Sequence, residues 1–106
     1  SEQLSVRVNS ARLPDYIGKI VRLACRIVQK NSDVMTVEAS DGGEVTVQLC
    51  KGVSIDDPFI EVIGKVMDGT TIKMMTVVNQ GSDLDLKLVN DTVELIHDPR
   101  FMTRMF

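Results

Sequence analysis

Met35-Thr36-Val37-Glu38-Ala39-Ser40-Asp41-Gly42-Gly43-Glu44-Val45-Thr46-Val47-Gln48-Leu49 alternates apolar and polar residues on both sides of a glycine break. A period of two means strand, and Asp-Gly-Gly between two such runs means hairpin. The same alternation extends upstream. Between Ile20 and Lys30, Val21, Leu23, Cys25 and Ile27 are apolar while Arg22 and Arg26 point the other way. It extends downstream from Phe59 to Met67, where Ile60, Val62 and Val66 oppose Glu61 and Lys65. A fifth run, Thr71 to Val78, has its parity blurred by Met74-Met75. Asn31-Ser32-Asp33 and Asp68-Gly69-Thr70 supply two more turns. Only Cys50 to Pro58 is long, and Gly52 and Pro58 break it too often for a helix. A three-strand meander, a longer crossing and a hairpin predict a small five-stranded Greek-key barrel. An SH3-like barrel has similar strand counts, and pattern alone leaves both open.

Two helical pieces flank the strands. Leu13, Tyr16 and Ile17 sit at i, i+3 and i+4 before Gly18, predicting a helical turn that plugs one end of the barrel. After Gly81-Ser82-Asp83, a helix capped by Asp83 or Asp85 should run to His97 or Asp98, before Pro99. On its wheel Leu86, Val89, Val93 and Ile96 fall within about 80° of arc, with Leu88 and Leu95 on a separate stripe. Asn90, Glu94 and His97 lie on the polar side with Lys87, Asp91 and Asp98. The chain therefore divides into a barrel with its helical turn, residues 1–79, and a loop, helix and apolar tail, residues 80–106.

The chain has 106 residues, 43% of them apolar and 25% charged. The size scaling buries about two-thirds of the extended chain's surface, enough for one core. No apolar run approaches the ~20 residues of a membrane span. Cys25 and Cys50 fit no CxxC or CxxH spacing and read as buried thiols of a reducing compartment. Twelve Lys+Arg against fifteen Asp+Glu give −3, so the whole molecule is no sink for phosphate.

No catalytic arrangement emerges. His97 is the single histidine, so a multi-histidine metal site is excluded, and its place near a helix C-terminus suits an imidazolium. Asp41-Gly42-Gly43 lacks the strand, helix and Lys of a phosphate loop, and Asp56-Asp57 is a loop signal. No cofactor, metal, membrane or small-molecule substrate is expected. A nucleic-acid face is the one site to weigh, since oligonucleotide-binding barrels share this architecture. Lys19, Arg22, Arg26 and Lys30 lie along the first strand, Arg22 and Arg26 on its outward side, and could form a phosphate track. A solvated strand face is the plainer reading of them. Thr36, Glu38, Thr46 and Gln48, the outward positions of the next two strands, include no aromatic on which a base could stack.

Several stretches resemble the smallest subunit of replication protein A, the eukaryotic heterotrimer that binds single-stranded DNA. They are Arg7-Val8-Asn9-Ser10-Ala11 with Leu13 and Tyr16-Ile17, Ser40-Asp41-Gly42, and Ile60-Glu61-Val62-Ile63-Gly64-Lys65-Val66. The most specific is the closing run, Asp85-Leu86-Lys87-Leu88-Val89-Asn90 through Glu94-Leu95-Ile96-His97-Asp98. One departure is Ala24-Cys25, where that family usually carries a glycine and a bend. The resemblance implies an OB-fold barrel serving assembly, in the nucleus, in DNA replication, repair and recombination. It implies a terminal helix that joins a three-helix bundle with two larger OB-fold subunits, which carry most of the contact with single-stranded DNA.

Two other readings fit the same residues: a self-sufficient single-strand binder, and the small subunit of a telomere-capping trimer. The isolated chain is expected to bind single-stranded DNA weakly. The tail residues Phe101, Met102, Met105 and Phe106 are expected to be covered, by a partner or by the barrel. The 3-4-3 stripe Leu86, Val89, Val93 and Ile96 is expected to face the partner helices, because that spacing suits shallow helix packing.

Overall fold

The computed structural model describes residues 5–53 and 55–98. Its elements are β1 (Val6–Val8), a 3-10 helix (Ser10–Tyr16), β2 (Ile20–Lys30), β3 (Val34–Ala39), β4 (Glu44–Gln48), β5 (Phe59–Asp68), β6 (Thr71–Asn79) and α1 (Leu86–Ile96). The five long strands match the alternating runs to within about one residue at most ends. They close into a barrel in the order β2-β3-β4-β6-β5, with β5 pairing back to β2. Neighbours are antiparallel except β4 and β6, which run parallel at the Greek-key closure. The closed five-stranded Greek-key barrel is that of an OB-fold, here with an extra strand and a terminal helix.

Alternation explains the interior. Val21, Leu23 and Cys25 of β2, Met35 and Val37 of β3, and Val45 and Val47 of β4 all point inward and are fully buried. Ile60, Val62 and Val66 of β5 meet Ile72 and Met74 of β6 from the opposite wall. Leu13 of the 3-10 helix closes one end, as the helical-turn reading expected. Ile17 does not join it and is 54% exposed, because the helix ends at Tyr16 and the chain turns at Gly18 with positive φ. The 3-10 helix is tied to the β3–β4 turn by one side chain. The Asp41 carboxylate accepts from the Ser10 hydroxyl and from the backbone N–H groups of Ser10, Ala11 and Gly43. A Cβ at position 43 would collide with Ser10 Oγ, so the second glycine of the turn makes room for this tie.

The blurred parity at Met74-Met75 is a β-bulge. The β5–β6 register shifts between Ile63 and Gly64, so Met74 enters the core and Met75 is turned out. Gly64 lies at that shift, where a Cβ would collide with the Lys73 carbonyl oxygen. Ala24-Cys25 needs no bend, because the β2–β5 register runs unbroken from Ile20 to Arg26. The irregularity of β2 sits further on, between Ile27 and Gln29 on the β3 side. β1 was not foreseen from the sequence. Three residues are too few to show a period, and it pairs in parallel with β2 at Val21 to Leu23.

Candidate functional site

Asp85 caps α1, its carboxylate accepting from the Leu88 N–H at 3.1 Å, and the helix stops at His97 before Pro99. The docking of α1 reverses one expectation. Val93, at the centre of the 3-4-3 stripe, is only 2% exposed, and Leu86, Val89 and Ile96 are half-buried beside it. That stripe faces the barrel. Leu88 at 63% and Leu95 at 53% exposure form the outward face instead. The physical reason lies in three residues of the polar side. Asn90, Glu94 and His97 all bond to the barrel, and they rotate the helix until Val93 points inward.

Those bonds reach across the whole chain. Asn9 Nδ2 donates to Asn90 Oδ1 at 2.9 Å and to Glu94 Oε2 at 2.7 Å. Ser40 Oγ also reaches Asn90 Oδ1, at 3.2 Å. Arg12 grips Glu94 with two nitrogens, at 2.7 and 3.1 Å. The Arg12 hydrogen bond, seconded by Asn9, holds the Glu94 carboxyl below its ordinary pKa. His97 Nε2 lies 2.9 Å from the Arg7 carbonyl, which can only accept, so Nε2 carries a proton. Its Nδ1 lies 3.4 Å from the Tyr16 hydroxyl, and the two rings meet edge to face. His97 thus joins the end of α1 to β1 and the 3-10 helix, beyond the dipole role read from its position. Phe101 and Met102, expected at the same interface, lie outside the described residues, as do Met105 and Phe106.

The expected phosphate track has a different character. Arg22 shares Glu61 with Arg7, at 3.4 and 3.1 Å, and its Nε donates to Ser5 Oγ at 2.8 Å. Arg26 pairs with Glu38 across the β2–β3 ladder at 3.2 Å. Glu61 was read as an exposed strand position but is 6% exposed, since its carboxylate lies between two guanidinium groups. Of the residues in the track, Lys19 and Lys30 carry no ion pair among the described residues. The sequence reading passed over Lys65 and Lys73, which face each other across β5 and β6. Neither has a carboxylate partner among the described residues. Counting back from the Asp68-Gly69 turn does not pair them, because the register shifts by one residue between Val66 and Asp68.

Burial in the barrel, with the Glu61 charge adding, pushes the Cys25 thiol up to about 12, so it stays protonated at neutral pH. Cys50 is free and half-buried, its sulfur 3.6 Å from the Met75 carbonyl oxygen. Among the described residues, no three His, Cys, Asp or Glu side chains gather as metal ligands would. No helix among them is long and apolar enough to cross a membrane.

Residues 1–102 match the family model described as replication factor A protein 3. The chain belongs to that family. Among solved structures it is similar to a chain of U. maydis replication protein A bound to single-stranded DNA. The TM-score is 0.85 at 26% identity, over 90% of this chain and 91% of that one. It is also similar in fold to a chain of the S. pombe Stn1–Ten1 complex, with TM-score 0.73 at 11% identity over 92% and 95% of the two chains. The telomere-capping protein Ten1 from S. pombe gives TM-score 0.72 at 11% identity, over 89% and 98%. Curated proteins provide no match. For this member of the replication factor A protein 3 family, the docked helix with its outward leucines is therefore the feature to explain.

Proposed function

We propose that this chain is a non-enzymatic assembly subunit of a heterotrimeric single-stranded-DNA-binding complex, acting in the nucleus in replication, repair and recombination. Residues 1–79 form its barrel, and residues 80–106 its joining segment. The single observation that carries the reading is the outward stripe of α1. Leu88 and Leu95 stand seven residues apart, two helical turns, and both are more than half exposed. Burying each such side chain is worth roughly 1.5–3 kcal/mol. On a helix already docked by its other face, that stripe suits helices of the two larger OB-fold subunits, in a three-helix bundle. It replaces the Val89–Val93 face as the proposed contact.

The same reading gives the chain little intrinsic DNA affinity. Arg26 is paired with Glu38, Arg22 shares the single carboxylate of Glu61 with Arg7, and the outward positions of β3 and β4 are Val34, Thr36, Glu38, Glu44, Thr46 and Gln48. No stacking aromatic is among them. In this reading the DNA is held mainly by the partner subunits. The family match favours the replication trimer over the telomere-capping one, since the Ten1 likeness is one of fold.

The test is co-purification of the full chain with the two larger subunits. Leu88→Asp with Leu95→Asp should abolish the complex while the barrel keeps its cooperative melt. A complex that survives the double substitution would refute the proposed contact.

A further inference from the structure

The seam between α1 and the barrel is built unlike a hydrophobic core. Its one fully buried apolar residue on the helix is Val93. Around Val93 stand directional contacts from residues 50 to 90 positions apart in the chain. Asn9 and Ser40 converge on one oxygen of Asn90, Arg12 forks onto Glu94, and His97 reaches the Arg7 carbonyl. Asn9 is the pivot. It is 1% exposed, and its Nδ2 serves both Asn90 and Glu94. Its Oδ1 is buried with no hydrogen-bond partner. Flipping the amide would put that oxygen against two acceptors, so the orientation is forced. A buried acceptor left unmatched lowers stability, and an apolar residue in its place would avoid the penalty. What the polar arrangement supplies is a single geometry. Apolar contact tolerates sliding and roll, whereas bonds with fixed donors and acceptors do not.

We propose that Asn9, Arg12, Ser40, Asn90, Glu94 and His97 form an orientation lock. It fixes the roll of α1 on the barrel and so the direction in which Leu88 and Leu95 meet a partner helix. The inference rests on the reading of α1 as the joining helix and adds positioning residues to it. None of the six touches the partner in this scheme. They act through the helix, on an interface that needs two leucines on one line. A roll of one residue, about 100°, would carry both leucines off that line. Without the lock the helix still forms, capped by Asp85, but samples several rolls, and binding loses the fraction of molecules in the wrong one.

The experiment measures the affinity of the full chain for the two larger subunits, beside the thermal melt of each variant. Arg12→Glu sets two carboxylates against each other and should weaken assembly about tenfold while the cooperative barrel melt persists. The reciprocal pair Arg12→Glu with Glu94→Arg should recover the part of the loss that belongs to the charge pair, which a general loss of packing would not allow. It should not recover the part carried by Asn9, whose Nδ2 loses its acceptor at position 94. Glu94→Gln, which keeps the side chain's shape, serves as the milder probe should Arg12→Glu unfold, and should weaken assembly several-fold. Unchanged affinity in a folded single variant overturns the lock, and so does a folded reciprocal pair that recovers nothing. The Leu88→Asp, Leu95→Asp variant separates the two ideas. If it too leaves assembly intact, the joining helix itself is wrong. If it abolishes assembly while the lock variants do nothing, the lock alone fails.

Discussion

Inside the barrel, Leu23, Val37, Val62 and Ile72 meet with no polar atom among their side chains. Along the α1 seam, Val93 is the one fully buried apolar residue of the helix, flanked by half-buried Leu86, Val89 and Ile96. Hydrogen bonds of Asn90, Glu94 and His97 to Asn9, Arg12, Ser40 and the Arg7 carbonyl complete the contact. The first kind of burial is strong and indifferent to small rotations. The second is weaker per contact and fixes orientation. A molecule divided this way has a stable body and a helix held by its geometry more than by its area. Removing apolar volume should therefore act very differently in the two regions.

The largest effect is expected at Leu23→Ala. Leu23 is fully buried, and its neighbours belong to a closed barrel that can collapse only partly around the gap. Such truncations cost about 2–5 kcal/mol, so the whole cooperative melt should move down by many degrees. Denaturant unfolding measures it. A loss below about 1 kcal/mol would show that the barrel is more plastic than its packing implies.

Most of the barrel was legible because its signal is local. Each strand writes its inward face at every second residue, and the turns are marked by Asp41-Gly42-Gly43 and Asp68-Gly69. Two of the features that were not legible depend on pairing. Glu61 looks solvated along β5, and only the approach of Arg7 and Arg22 makes it a covered ion-pair centre. The roll of α1 depends on Asn9 and Arg12, more than 80 residues upstream in hydrogen-bond separation from Glu94. A hydrophobic wheel weighs apolar residues and treats Asn90, Glu94 and His97 as water-facing. It therefore found both stripes and set the wrong one outward. The Asn9-to-Ala11 stretch, quoted for its resemblance, held the missing partner.

A smaller and more local effect is expected at Val93→Ala. Two methyl-sized groups are lost at a single buried position, worth about 1–2 kcal/mol at ~0.8 kcal/mol per CH2. Here the loss should appear as loosening of α1, with the barrel melt nearly unchanged. Tyr16 is a convenient reporter, since it is the only tyrosine in a chain without tryptophan and its ring packs against His97. Its fluorescence should change at a lower temperature than the strand signal does. Coincident transitions would mean that helix and barrel unfold as one unit, and the contrast between the regions would be lost.

The smallest effect separates the charged part of the seam from its neutral part, through pH. The Arg12 hydrogen bond and then the Asn9 bond hold the Glu94 carboxyl below its ordinary value of 4.5. The folded chain therefore binds that proton less readily than the unfolded chain does. The stabilisation is present in full above the ordinary value and is lost as pH falls through the lowered one. The pKa of the Asp41 carboxyl is lowered as well. Its burial raises the pKa, but the Ser10 hydroxyl and the backbone N–H groups of Ala11, Gly43 and Ser10 outweigh this and bring it below the ordinary 3.8. The informative quantity is thus the difference between the native chain and Glu94→Gln, in which the Asp41 contribution cancels. The Glu94 side chain is 47% exposed, so solvent screens the pair and the difference should be about 0.2–1 kcal/mol at neutral pH. It should shrink toward zero as the solution is acidified below pH 4.5, with Tyr16 reporting the loosening of the helix. A difference that stays constant with pH would assign the seam to the neutral contacts of Asn9, Ser40 and Asn90, leaving the Arg12 fork without energetic weight.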